Sequence, residues 1–336
     1  MRHPVLLLIA ALLLSVFSTG VYAQDNPPMV DQQRDAEKER YFATFIELKQ
    51  FPTPDSRRKA YEAAIEYLKR FEGDKDPDAR TVREFVTTYE RAARQSEIFS
   101  SYNSKNYAKT FELGRAILEH DPENFFVLTV LTQAGFDNAQ AGNATLNEAT
   151  VGYAKKAIKL VEGGKVTKAE PFMNIEAARG YLNAAVGTLL REKSPAEAAQ
   201  AFRKAVQSDS SYRTDPLTYH RLGIAILRGE FAQLTQEYKD KYLQEPPSAA
   251  QQGMLARINK LGSQALDAYA RAVALSDPAR LNAPSSSDAG AGRTKLPPES
   301  RNKILEQLTT LYKGFHNNSD AGLNELIATV LSKPLP

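Results

Sequence analysis

The sequence of 336 residues contains no cysteine. This absence excludes disulfide bonds, thiolate metal sites, a cysteine nucleophile and a lipid-modified cysteine. The folded chain must therefore be stabilised by its hydrophobic core alone. Exported proteins without disulfides are commoner in the bacterial periplasm than among secreted eukaryotic proteins, so the composition favours a bacterial protein if the chain is exported.

The chain also lacks a strong excess of charge of either sign. It carries 43 Lys and Arg against 40 Asp and Glu, which gives a formal net charge of +3. Because no basic face is clustered to neutralise phosphates, no nucleic-acid partner is expected. β-Branched runs with a period of two are scarce, whereas strong helix formers dominate, and this favours an all-α fold.

No hydrophobic run is long enough to span a bilayer. The longest, residues 5–17, follows the basic Arg2 and falls short of the roughly 20 apolar residues that a transmembrane helix needs. With Val21 and Ala23 as a cleavage pattern, residues 1–23 are predicted to be a secretory signal peptide, and an uncleaved N-terminal anchor is the alternative. We therefore expect an exported protein, periplasmic or extracellular, without membrane insertion after cleavage.

Helical periodicity and turn residues divide the remaining chain into regions. Residues 24–38 are polar and are predicted to be disordered. Residues 39–278 contain successive pairs of amphipathic helices, within which residues 232–249 are predicted to be an insertion or an extra helix. Residues 279–300 are a linker by composition. Two amphipathic helices in residues 301–332 either cap the last helix pair or serve as a separate docking element.

Two neighbouring stripes carry the most specific pattern. Ala198, Phe202 and Ala205 recur at i, i+4 and i+7, so small residues flank a bulky ring on one helix face. Small residues let a second helix approach closely, and the aromatic ring fills the gap between helix pairs. Gly187 and Gly223 lie 36 residues apart. Around the second glycine, an apolar helical stripe precedes a turn: Tyr219, Leu222, Gly223 and Ile226.

These patterns resemble the tetratricopeptide repeat, whose helical hairpins recur about every 34 residues. The resemblance covers most of residues 39–278 and is strongest in residues 173–231. It implies a right-handed α-solenoid, whose concave groove binds another protein or a peptide segment. The family's geometry also implies which side chains face the groove: Thr129, Gln133, Thr188, Arg191, His220, Ile224 and Arg228.

No motif for catalysis, for a metal or for a cofactor stands out. The histidines His120, His220 and His316 lack the spacing of a zinc site. The carboxylates mostly lie three or four residues from Lys or Arg, which is typical of solvated helix faces. The sequence therefore predicts a non-catalytic scaffold that uses no cofactor.

Two alternatives stay open. The first is a helical-repeat protein that binds nutrients or glycans, although the chain has no tryptophan to stack on sugar rings. The second is a cell-wall hydrolase on an α-superhelix, which needs two carboxylates that converge only in the folded chain.

Overall fold

The computed structural model describes residues 31–243, 246, 248–278 and 296–335. Within these residues every regular element is a helix and no strand occurs, so the predicted all-α fold is confirmed. The predicted signal peptide, and residues 279–295 of the predicted linker, lie outside the described residues. None of the described helices combines the length and the apolar character that crossing a membrane requires.

The α-helices are α1 Asp31–Lys49, α2 Pro54–Arg70, α3 Pro77–Asn103, α4 Tyr107–His120, α5 Phe125–Gln140, α6 Asn147–Glu162, α7 Ile175–Leu190, α8 Pro195–Gln207, α9 Pro216–Ile226, α10 Ala232–Tyr242, α11 Ala249–Leu275, α12 Pro298–Phe315 and α13 Leu323–Thr329. Shorter 3₁₀ helices span Ser211–Thr214 and Val330–Ser332, and a π-helical turn spans Leu227–Phe231.

The chain divides into two compact units, residues 1–91 and residues 92–336. The boundary between them falls inside α3. In the first unit, α1 and α2 pack with the start of α3 around aromatic rings, of which Phe45 and Tyr67 are fully buried.

Residues 31–38 belong to α1, so this part of the segment predicted to be disordered is helical. Charges far along the chain explain the difference: Lys38 forms ion pairs with both Asp74 and Asp76, and Arg34 Nη2 lies 2.6 Å from Asp74 Oδ1. Burial pulls the pKa of Lys38 down, but the two hydrogen bonds to carboxylates outweigh it and raise that pKa above its ordinary value. The hydrogen bond from Lys38 also lowers the pKa of Asp76 to about 2.

In the second unit, successive helices pack in chain order from α4 to α9, and α5 also contacts α7. The crossing points use the small residues that the sequence singled out. A Cβ on Gly187 of α7 would lie 2.8 Å from the ring of Phe202 on α8, and a Cβ on Gly223 of α9 would lie 2.6 Å from the ring of Tyr269 on α11. Because glycine has no side chain at these two positions, the Phe202 ring lies directly on the backbone of α7, and the Tyr269 ring lies directly on the backbone of α9.

Of the two predictions for residues 232–249, the structure has the extra helix, α10. It follows the π-helical turn, in which Gly229 adopts φ −92° and ψ −119°. A Cβ on Gly229 would lie 2.8 Å from the backbone nitrogen of Ala196, so the turn is held against the start of α8. Ser248 then begins α11 through reciprocal side-chain and backbone hydrogen bonds with Gln251.

The C-terminal helices α12 and α13 pack against α11. Their apolar residues Ile304, Leu308 and Leu323 are buried in the same core as Tyr219 of α9.

The side chain of Arg271 on α11 is only 2% exposed. Its Nε lies 2.6 Å from Asp267 Oδ1, and its Nη2 donates to the carbonyl oxygens of Lys333 and Pro334 at 3.1 and 2.6 Å. The buried guanidinium of Arg271 thus holds the C-terminal segment on α11.

Candidate functional site

Two of the predicted groove residues, Arg191 and Arg228, meet at one carboxylate. Arg228 Nη1 lies 3.1 Å from Glu192 Oε2, and Arg191 Nε lies 3.4 Å from Glu192 Oε1. All three side chains are at least half exposed, so each ion pair contributes less than about 1 kcal/mol. The contact brings the end of α7 next to the turn that follows α9, and it leaves most of the guanidinium N–H groups free to bind another molecule.

Three further predicted groove residues, Thr129, Gln133 and Thr188, differ in how far their polar groups are exposed to a partner. Thr129 is fully buried and donates its hydroxyl hydrogen to the carbonyl oxygen of Phe126 at 2.8 Å. It therefore presents no group to a partner, because residues 127–132 of α5 are covered on every side. Gln133 is partly exposed. Thr188 is also partly exposed, but its Oγ1 is buried and has no hydrogen-bond partner among the described residues.

The remaining two positions, His220 and Ile224, contact other parts of the chain. His220 Nε2 lies 2.7 Å from Gln307 Oε1 of α12, and the imidazole ring packs edge-on against Tyr269 at 5.3 Å. Burial lowers the pKa of His220, and the hydrogen bond to Gln307 opposes that shift. Ile224 packs against the core that contains Ile304. This part of the predicted groove is thus occupied within the molecule.

Three partly exposed residues that were not predicted to face the groove interact electrostatically with one another or with Arg191: Tyr181 of α7, Tyr212 of the first 3₁₀ helix and Arg221 of α9. Burial, followed by Tyr212, raises the pKa of Tyr181 well above its ordinary value. Burial and then Asp215 raise the pKa of Tyr212 to about 12, and Arg221 opposes that shift. Burial lowers the pKa of Arg221; Asp215 opposes this shift, and Arg191 adds to it. These effects link Tyr181 to Tyr212, Tyr212 to Arg221, and Arg221 to Arg191.

We call Tyr181, Tyr212, Arg191, Arg221 and Arg228 the tyrosine–arginine face. Helical spacing contained a signal for two of them: Tyr181 lies two turns before Thr188, and Arg221 lies two turns before Arg228. Tyr212 had no such signal, because the 3₁₀ helix is placed by tertiary packing.

Gly180 provides the close approach that this packing needs. A Cβ on Gly180 would lie 2.2 Å from Ser210 Oγ and 3.0 Å from the Tyr212 ring, so only glycine leaves room for the segment between α8 and α9.

An aromatic flank continues the face along α5 and the loop before α7. The Tyr181 ring lies 5.2 Å from the ring of Phe172 and 6.0 Å from that of Phe136. Next to Phe172, the side chain of Met173 is 97% exposed. Tyr102 Oη donates to Asp137 Oδ2 at 2.9 Å, close enough to Tyr181 for both residues to raise its pKa.

This surface combines apolar rings with hydrogen-bond donors. Its tyrosines stay protonated throughout the physiological pH range, so each offers an apolar ring and a hydroxyl donor. Its arginines supply planar forks of donors. Among the residues that the structure describes, no three His, Asp or Glu side chains are grouped to hold a metal ion.

Comparisons with known proteins give no match. No protein-family model matches the chain, and neither a curated protein nor a solved structure matches it. The resemblance to the tetratricopeptide repeat therefore depends on the sequence pattern and stays a prediction.

Proposed function

We propose that this chain is an exported, right-handed α-solenoid of tetratricopeptide type, periplasmic or extracellular, which binds a segment of another polypeptide and catalyses no reaction. The binding surface is the tyrosine–arginine face. The observation that carries the proposal is Arg221, whose partly buried guanidinium forms no hydrogen bond or ion pair with any described residue, although the carboxylate of Asp215 lies near enough to oppose the lowering of its pKa by burial. A desolvated guanidinium without acceptors is costly, and the oxygen atoms of a bound segment recover that cost.

The packing of the second unit supports a scaffold role. Its helices pair in chain order, and glycines meet aromatic rings at Gly187 and Gly223, the two positions that anchor the repeat pattern. Such an arrangement holds side chains from α7, α9 and the intervening 3₁₀ helix in fixed relative positions. A binding surface that is already formed loses little conformational entropy when a partner binds.

The C-terminal segment narrows the proposed binding site. Because α12 contacts His220, and Ile224 packs against the core, the partner segment contacts Tyr181, Tyr212 and Arg221 and does not continue along α9. We expect an extended segment whose backbone carbonyls accept from the arginines, and whose side chains pack on the tyrosine rings.

A displayed library of random peptides tests this proposal. Peptides enriched on the wild-type protein should bind Arg221→Ala on the order of tenfold more weakly, because a charged donor contributes about 1.5–3 kcal/mol. Arg257→Ala is the control: it removes an arginine of α11 that is exposed, pairs with Glu230 and is not part of the face. Thermal unfolding of both variants checks that the fold is kept.

The proposal fails if no peptide is enriched, or if Arg221→Ala binds the enriched peptides as tightly as the wild type does. Equal losses in Arg221→Ala and Arg257→Ala would show only a general effect of charge.

Glycan binding is the second candidate function, because Tyr181 and Tyr212 combine aromatic rings with neighbouring donors. A screen of soluble glycans against wild type and Tyr212→Ala separates it from peptide binding. No comparable observation supports the hydrolase alternative. It needs two converging carboxylates, and the buried polar side chains of the described residues include no Asp or Glu.

A further inference from the structure

A cavity of about 620 Å³ lies between the start of α5 and the end of α6. None of its lining residues belongs to the tyrosine–arginine face. Leu128 and Leu160, both buried, form its apolar floor, while three exposed lysines and two exposed glutamates surround the opening. Its volume and its combination of an apolar floor with a few polar groups are typical of sites for small molecules.

Both carboxylates at the opening are already paired. Lys165 Nζ bonds to the two oxygens of Glu123 at 2.8 and 2.9 Å. Glu162 Oε1 accepts from Nζ of Lys204, on α8, at 2.8 Å. These two ion pairs each join segments that are 42 residues apart, so they fix the shape of the opening as well as neutralising its acids.

Two lysines at the opening remain without a counter-charge. Lys156 and Lys159 line the cavity and form no ion pair with any described residue. They lie one turn apart on α6, where two ammonium groups repel each other. An anion between them removes this repulsion, and the leucine floor beneath accepts an apolar tail.

We propose that this cavity binds a small amphiphilic anion, with a carboxylate or phosphate head between Lys156 and Lys159 and an apolar chain over Leu128 and Leu160. The site is independent of the proposed scaffold function, because it shares no residue with the tyrosine–arginine face. The lining favours a ligand with an anionic head and an apolar tail. The unpaired lysines at the opening suit the head, the leucine floor suits the tail, and the cavity has room for a small molecule.

Isothermal titration calorimetry with four probes tests the site. Octyl phosphate and octanoate carry both features, octyl glucoside has the same tail with a neutral head, and inorganic phosphate has no tail. We expect the two amphiphilic anions to bind on the order of tenfold more tightly than either of the other probes, because each of those loses one of the two contributions. Stronger binding of octyl phosphate or of octanoate then identifies the preferred head group.

The variant Lys156→Gln/Lys159→Gln should weaken binding of both anions on the order of tenfold, since two charged donors are lost. Lys168→Gln is the matched control, an exposed lysine that does not line the cavity, and should bind like the wild type. Absence of binding by both anions overturns the proposal, as does equal affinity for octyl glucoside or an unchanged affinity in the double variant. Peptide binding by the double variant stays normal, so failure here is distinct from failure of the scaffold function.

Discussion

Replacing the ring of Phe202 should reveal how the repeat units of the second compact unit are joined. Phe202 is fully buried, and its ring rests on the backbone of α7 at Gly187. Phe202→Ala should therefore cost about 3–5 kcal/mol of unfolding free energy, a large part of the ~5–15 kcal/mol that a domain has. For a unit of this size, the cost corresponds to a fall in melting temperature of roughly 6–20 °C.

The partner substitution Gly187→Ala makes the test specific. In the wild type, the added Cβ would lie 2.8 Å from two ring carbons of Phe202, so crowding costs about 1–3 kcal/mol and outweighs the ~1 kcal/mol gained in helix propensity. In the Phe202→Ala background, the methyl group enters the vacated space, and the same substitution should become stabilising. The two changes should thus couple by roughly 1–3 kcal/mol.

Urea denaturation followed by circular dichroism measures all four members of this cycle. Gly253→Ala on α11 is the control, because its Cβ would meet no atom within 4 Å and should stabilise by up to about 1 kcal/mol in either background. If Gly187→Ala costs the same with and without the Phe202 ring, then the glycine and the ring are not in contact and the packing described for α7 and α8 is wrong.

Three further outcomes are expected. Arg271→Met leaves the partly buried Asp267 unpaired and frees the C-terminal segment, so it should destabilise the protein by about 3 kcal/mol and speed hydrogen–deuterium exchange in α12 and α13. The hydrogen bond from Lys38 lowers the pKa of Asp76 to about 2, so its stabilisation, present above the ordinary pKa near 4, is lost as pH falls towards about 2; acid unfolding followed by circular dichroism should lose this component in Asp76→Asn. Burial lowers the pKa of His220, so stability should fall as pH drops below about 6.5, and melting temperatures of His220→Gln should depend less on pH over this range.

Local pattern was enough to predict the helices. Helical spacing placed Phe202 on a stripe between small residues, and the repeat spacing singled out Gly187; the structure brings these two residues together. It did not predict that α1 begins before residue 39, because Lys38 is ordered by Asp74 and Asp76, which lie 36 and 38 residues away. A polar segment is predicted to be disordered when the residues that order it lie far away in the sequence.

The binding surface could be predicted only in part, for a similar reason. The resemblance to the tetratricopeptide repeat implied that Arg191 and Arg228 share one surface, and in the structure both contact Glu192. The resemblance also placed His220 there, but α12 contacts it across 87 residues of chain. The position of α12 is set by the core that it shares with α9 and α11, so a pattern within α9 alone does not predict it.

The guanidinium of Arg271 also sets an order of events during synthesis. Its carbonyl acceptors lie 62 and 63 residues further along the chain, so a nascent polypeptide exposes this arginine to the ribosome and to solvent long before Lys333 and Pro334 are translated. Until that stretch has emerged, the guanidinium lacks its two carbonyl acceptors.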